Sequence, residues 1–358
     1  MTGGALGYNK IKNGKGDYMK PFVPERAYFE PDALNYPLGQ ELYEKLQSMS
    51  VPITMTSSHN RITGITGKNA WECYQKAKRT LAVGVRRSLD FQSCKPSAHF
   101  QLPLNTGCPS MCEYCYLMTT LGKKPYLRVY VNIEDVLNKA AAYIRERAPE
   151  ITIFEGAATS DPIPTEYLTG LLKQTIEFFG RQPLGRFRFV TKHVQVDTLL
   201  AVNHSGHTRF RFTLNAASVI KKYEHLTPPL AERVAAAAQV AQAGYPLGFI
   251  IAPVFYFPEW ESEYNDLLKL LAKELPTAAQ PITFEFITHR FTKRAKNNIL
   301  ELFSNTALPL DETVRQFKFG QFGYGKYLYA KEQRGEMERF LRRQTAVYFP
   351  DAQIDYFI

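Results

Sequence analysis

Through the middle of the chain, hydrophobic and polar positions keep a strand–helix rhythm. Ala98 to Leu104 alternates with period two, and Ile133 to Arg145 repeats with the helical period. Ile151 to Gly156 reads as a strand, and a helix follows from Pro164, with proline in its first turn, to Gly180 as its stop. The pattern then predicts a strand over Phe187–Thr191, a short helix over Val196–Val202 and a strand over Arg209–Leu214. An alanine-rich helix from Pro229 to Ala243, closed by Gly244, comes next. A strand over Leu247–Ala252, a helix over Glu261–Leu271 and a last strand over Ile282–Ile287 complete the series. Such alternation predicts an α/β fold, a parallel sheet with crossover helices. About six units fit, short of the eight of a closed barrel.

The flanks differ. Residues 1–18 are rich in Gly, Lys and Asn without apolar periodicity, and read as a disordered leader or a cloning remnant. Residues 19–96 form an N-terminal segment, with short helices over Pro37–Met49 and Trp71–Arg79 and a strand beginning at Thr80. Residues 97–290 carry the rhythm, and 291–358 form a C-terminal addition. That addition has a basic helix over Thr292–Leu302, an aromatic, glycine-punctuated run over Phe317–Tyr329 that suits a hairpin, and an amphipathic helix over Lys331–Tyr348.

Composition narrows the class. The 358 residues carry 44 Lys and Arg against 34 Asp and Glu, a formal charge of +10, which favours a polyanionic partner. The cations cluster at Arg86–Lys95, Arg186–Lys192, Arg290–Lys296 and Arg339–Arg343, interleaved with aromatics that suit unstacked bases, although most of those rings belong in a core. Five cysteines and no signal peptide fit a reducing cytoplasm, and the apolar stretches are too short to span a bilayer, so no membrane is expected.

The sharpest chemical signal is Cys108-x3-Cys112-x2-Cys115 on one short loop. Three thiolates can hold three irons of a [4Fe–4S] cluster and leave the fourth open to a small ligand. The competing reading is zinc, which wants four closed ligands; only one Cys-x2-Cys pair is present, and His99 would have to return to the loop. On that reading the chain is a zinc-stabilised nucleic-acid-binding protein.

The loop, with Tyr114 before its last cysteine, resembles that of radical S-adenosylmethionine (SAM) enzymes. Longer motifs sharpen the likeness: Thr106-Gly-Cys-x3-Cys-x-Tyr-Cys-Tyr-Leu with Thr119-Thr120, the stretch from Lys124 to Asn132, and Phe154-Glu-Gly-Ala-Ala-Thr-Ser-Asp. Arg188-Phe-Val-Thr-Lys, Thr208-Arg-Phe-Arg-Phe, Ala243-Gly-Tyr-Pro-Leu-Gly-Phe and Thr288-His-Arg-Phe-Thr-Lys add to it. From Met19 onward the chain resembles the spore photoproduct lyase family. The resemblance implies a partial (β/α)6 TIM-type barrel of the radical SAM type, holding one [4Fe–4S] cluster and SAM. It implies reversal of 5-thyminyl-5,6-dihydrothymine in DNA to two thymines, begun by a 5′-deoxyadenosyl radical, with SAM re-formed each turnover. A radical SAM enzyme of the same fold with another substrate is the alternative. The lesion must leave the base stack, so a basic groove is expected. An electron donor such as flavodoxin or ferredoxin and a monomeric state are expected alongside.

Residue roles follow from the same resemblance. Cys108, Cys112 and Cys115 match the cluster ligands; Ser160, Lys192, Thr213 and Ala252 match positions around SAM. Tyr114 and Tyr116 match two tyrosines, one contacting SAM and one relaying a hydrogen atom. Ala158 stands where the family's motif has the cysteine that returns a hydrogen atom to the product radical. An alanine methyl cannot do so, because its C–H bonds are much stronger than S–H. The reading is therefore a lyase impaired or altered in its last step: either a cysteine-to-alanine variant, which the leader favours, or a natural branch with another donor or substrate. Cys73 and Cys94 are read as inert unless the fold brings one of them near. DNA contacts are expected at Gln321, Phe322, Tyr324 and Lys326 of the aromatic run, and at His289 and Arg290.

Overall fold

The computed structural model describes residues 21–276, 282–319 and 325–358; the expected leader lies outside them. Six parallel strands stand side by side in chain order: Ala98–Gln101, Thr152–Glu155, Gly185–Thr191, Thr208–Leu214, Leu247–Val254 and Thr283–Thr288. These are the six units of the partial barrel, curled and open, with Ser93–Cys94 antiparallel on one edge. A seventh parallel strand, Gln353–Phe357, joins the other edge beside Thr283–Thr288 and was not anticipated. Its five residues follow a helix that reads as the end of the pattern.

Two helices differ from expectation. The helix expected from Pro164 to Gly180 is two, Ile163–Thr169 and Leu171–Gly180, because Gly170 adopts φ of 62° and turns the chain between them. The expected helix over Val196–Val202 is a single 3-10 turn, Asp197–Leu199. The N-terminal segment contributes Arg26–Phe29, Ile53–Met55 and Thr80–Gly84 to a second sheet. Strands Leu127–Tyr130 and Asn105–Thr106 complete that sheet, so the stretches 19–96 and 97–290 share it across the crossover that carries the cysteines.

The barrel strands explain their own sequence. In Thr208–Leu214 and Gly185–Thr191 the phenylalanines point outward into the helical layer, where Phe187, Phe189, Phe210 and Phe212 are fully buried with Phe154 and Phe179. The alternate residues face the lumen. There Arg211 pairs with Glu155 and, at 2.7 Å, with Glu285; Arg188 lies 3.4 Å from Glu155 and 3.9 Å from Asp355. The Tyr356 hydroxyl donates to Glu285, so the unexpected last strand completes this charged layer. Burial would raise the Glu285 carboxyl, but Arg211 and Arg188 hold it below its ordinary value. Within the Arg186–Lys192 cluster, Arg188 is accordingly no surface cation: it is an interior residue satisfied by carboxylates.

Such a layer is most fragile to removal of one partner. Arg211→Met leaves Glu155 and Glu285 short of their cation and is expected to lose about 3–5 kcal/mol of stability, read as a lower urea midpoint. An unchanged midpoint would show the pairing to be dispensable.

Candidate active site

The cysteine loop runs off the barrel between the two sheets, and its path needs Gly107. That residue has φ of 87°, donates its N–H to Thr159 O at 2.9 Å, and lies so close to the neighbouring strand that a Cβ would sit 2.7 Å from Tyr126 O. Further along, Met111–Cys112 pairs antiparallel with Glu224–His225, and Glu113 N–H donates to Tyr223 O at 2.9 Å. Lys78, itself buried, donates from Nζ to Cys108 O at 2.8 Å. Ser110 Oγ and His193 Nε2 lie 2.9 Å apart.

The loop brings the three sulfurs within electrostatic reach of one another. Burial pushes the Cys108 thiol up to about 11 and holds the Cys112 thiol well above its ordinary value, the latter aided by Glu224. Thiols so disfavoured as free anions fit coordination to a metal centre, which removes their protons. A zinc alternative would need a spare fourth ligand. Asp161 and His193 offer atoms within 4.8 Å of Cys108 and of each other. Both are committed: Asp161 accepts from Thr191 Oγ1 at 2.8 Å and Lys192 N–H at 2.9 Å, and His193 holds Ser110. His99 stays away, its Nδ1 accepting from Ile153 N–H at 3.0 Å. The residues fit a cluster with three cysteine ligands.

Behind the loop sits Glu224, which the sequence did not single out. The Tyr114 hydroxyl donates to its Oε1; Lys192 Nζ is 3.4 Å from that oxygen and 5.7 Å from the centre of the Tyr114 ring; Arg233 Nη2 is 2.6 Å from Oε2. Burial would raise this carboxyl, but Lys192 and Arg233 hold it below its ordinary value, and Tyr114 is pushed up in turn by burial and by Glu224. Sequence reasoning had no route to Glu224 or to the fully buried Arg233, since neither lies in a motif.

The expected SAM positions line one rim. Thr191 pairs with Phe212, Thr213 with Ile250, so Lys192, Thr213 and Ala252 follow one another across the carboxyl ends of adjacent strands. Ser160 lies beside Gly107, and its buried Oγ has no partner among the described residues. Such an orphan hydroxyl suits a ligand that brings a polar atom.

Tyr116 leans back toward Ala158: its hydroxyl donates to the Ala158 carbonyl. That hydroxyl is pushed up by burial and by the Cys115, Cys94 and Cys108 sulfurs around it, although the residue as a whole is 57 % exposed. Cys94 thus comes within electrostatic range of Tyr116, whereas Cys73 lies on the helix Ala70–Lys78 with its sulfur beside Gly67. Cys94 opens a turn whose Ser97 N–H returns to Cys94 O at 2.9 Å, and the Ser97 hydroxyl accepts from Arg188 in the lumen. A cavity of about 220 Å³ adjoins Ala158, lined also by Gly156, Thr159, Asn105 and Tyr130.

The expected DNA contacts divide. Within the run, Gln316–Phe319 and Gly325–Leu328 pair as antiparallel strands, with Lys318 opposite Lys326 and with Phe317 and Phe319 48 % and 72 % exposed. Gln321, Phe322 and Tyr324 lie outside the described residues. His289 is instead an interior residue, 2 % exposed, stacked 4.7 Å from Phe255 and held at Nδ1 by Arg315 at 3.2 Å. Burial and Arg315 lower its imidazole to about 3. Arg290 is half-buried, near Tyr356 and Arg334.

Comparison with known proteins agrees with this geometry. The family model for spore photoproduct lyase matches residues 22–358. The spore photoproduct lyase of Geobacillus sp. (strain Y412MC61) is 51 % identical over 340 residues, 95 % of this chain and 100 % of that protein. That of Bacillus subtilis (strain 168) is 49 % identical over 338 residues, 94 % of this chain and 99 % of that one. A solved spore photoproduct lyase complexed with dinucleoside spore photoproduct superposes with a TM-score of 0.92 at 51 % identity, covering 95 % of this chain and 100 % of the other. A double variant of spore photoproduct lyase, one cysteine changed to alanine and one serine to cysteine, with bound AdoMet and dinucleoside spore photoproduct, matches equally well in all four measures. The chain belongs to the spore photoproduct lyase family.

Proposed function

We propose that this protein reverts 5-thyminyl-5,6-dihydrothymine in DNA to two thymines, with Cys94 in place of a cysteine at position 158 as the source of the returned hydrogen atom. When bound, the [4Fe–4S] cluster and SAM supply a 5′-deoxyadenosyl radical that removes a hydrogen atom from C6 of the lesion. Cys108, Cys112 and Cys115 would hold the cluster. Ser160, Lys192, Thr213 and Ala252 would surround SAM, with the Lys192 ammonium answering the SAM carboxylate while paired with Glu224. Tyr114 braces Lys192 through the same carboxylate.

The observation that carries the reading is the Tyr116 hydroxyl, bonded to Ala158 and within electrostatic range of Cys94. Burial raises the Cys94 thiol above its ordinary value, with Arg188 and Arg211 pulling the other way, so its S–H is intact near neutral pH. Cys94 then gives that hydrogen atom to the thymine radical left after the cross-link breaks. Tyr116 would restore the S–H from its own O–H and take a hydrogen atom from 5′-deoxyadenosine in return, which lets SAM re-form. Spacing supports the assignment: Cys94 precedes Ala158 by 64 residues, the same separation as between the serine-to-cysteine and cysteine-to-alanine changes of the double variant above. A natural branch with a relocated donor explains Ala158 without engineering.

The exposed aromatics and paired lysines of the hairpin suit DNA beside an extruded lesion. The single electron would come from a flavodoxin or ferredoxin. Among the described residues no helix is long and apolar enough to cross a membrane, and we place the reaction in the cytoplasm, carried out by a monomer.

The deciding experiment supplies anaerobically reconstituted protein with SAM, a reductant and dinucleoside spore photoproduct, and identifies products by mass spectrometry. The parent and Ala158→Cys are expected to release clean thymine. Cys94→Ala is expected to consume lesion while diverting product into adducts, and Ala158→Cys in that background to restore thymine. Clean thymine from Cys94→Ala at the parental rate would remove Cys94 from the mechanism. For DNA binding, Lys326→Ala is expected to lower the slope of log affinity against log salt by about one unit. An identical slope would take Lys326 off the phosphates.

A further inference from the structure

Tyr74 lies on the helix Ala70–Lys78, one turn before Lys78, and its side chain is wholly buried. Its ring is fixed on two sides, stacked on Trp71 at 6.0 Å and edge-on to Phe303 at 6.1 Å. On a third side lies the Lys78 ammonium, 5.3 Å from the ring centre, whose Nζ donates to Cys108 O. The phenol is thereby pressed against the cysteine loop, and Cys115, Cys112 and Cys108 all act on it electrostatically. Yet among the described residues the Tyr74 hydroxyl has no hydrogen-bond partner. A buried hydroxyl without a partner is unfavourable, so a ring held this firmly with its polar end unanswered points to an acceptor brought by a ligand.

We infer that the Tyr74 hydroxyl donates a hydrogen bond to a sulfur of the cluster held by Cys108, Cys112 and Cys115, and so raises the cluster's reduction potential. The inference rests on the cluster reading of the loop and not on the choice of hydrogen donor. Hydrogen bonds to the sulfurs are one of the protein's means of setting such a potential, because a donor stabilises the electron that reduction adds. Lys78, buried in the same wall, adds positive charge with the same sign of effect. Tyr74 is on this account a positioning and tuning residue: it touches the cluster, not the lesion.

The test is Tyr74→Phe, which keeps the ring against Trp71 and Phe303 and deletes only the hydroxyl. Three quantities are read on reconstituted protein: iron and sulfide content, the cluster midpoint by EPR-monitored titration, and exchangeable deuterons at the reduced cluster by ENDOR in D2O. The expected result is full iron and sulfide, a more negative midpoint than the parent, and loss of one deuteron coupling that the parent shows. Full occupancy with an unchanged midpoint and unchanged couplings overturns the inference while leaving the cluster in place. Failure of the parent itself to take up iron and sulfide would overturn the cluster reading, and this inference with it.

Discussion

Everything in the site is organised around one buried carboxylate. Glu224 has Lys192 and Tyr114 at one oxygen and Arg233 at the other, in an interior too dry to leave any of them unpaired. Its backbone pairs with Cys112, so the same residue fixes the cysteine loop from outside and the barrel rim from within. Arg233 carries the connection into the helix Leu230–Gln242, and also donates to Thr213 O at 3.1 Å. Loss of the carboxylate would strand two cations and a phenol together, which ties the loop's position to the barrel's integrity.

A second constraint works beneath the first. The lumen layer of Arg188, Arg211, Glu155 and Glu285 fills the barrel where a hydrophobic interior would be expected, and the last strand seals it with Asp355 and Tyr356. Ser97 hangs from this layer, and through its turn so does Cys94. The turn that carries Cys94 is thus tied to charges on four different strands. Opposite, the cysteine loop brings Tyr116 down to Ala158, so the two hydrogen-bearing groups approach from separate elements that share no sequence neighbourhood.

This arrangement accounts for what could and could not be read from the residues in order. Period-two alternation of Arg and Phe announced strands, because a pleated strand must send neighbours to opposite faces. It did not announce which face was interior. Both are, so Arg188, which read as part of a nucleic-acid patch, is a lumen residue in ion pairs. The helix expected from Pro164 to Gly180 passed over Gly170, whose positive φ divides it. The strand Gln353–Phe357 was invisible because its partner lies seventy residues earlier, and edge pairing leaves little mark in a five-residue segment. His289 carried a motif's suggestion of DNA and proved to be packed under Phe255 and Arg315.

The sequence by itself determined the chemistry of the loop and the class of the fold. Three cysteines at that spacing are local, and six strand–helix units are a sum of local periodicities. Which thiol stands beside Tyr116 was decided only by tertiary structure. So were the partners of Lys192 and the orphan hydroxyl of Tyr74. Each depends on groups far apart in the chain, brought together by strand register and by the need of buried charges to find one another. Spacing along a chain measures covalent distance, and the work of this site is done across hydrogen-bond and ion-pair distances that folding alone creates.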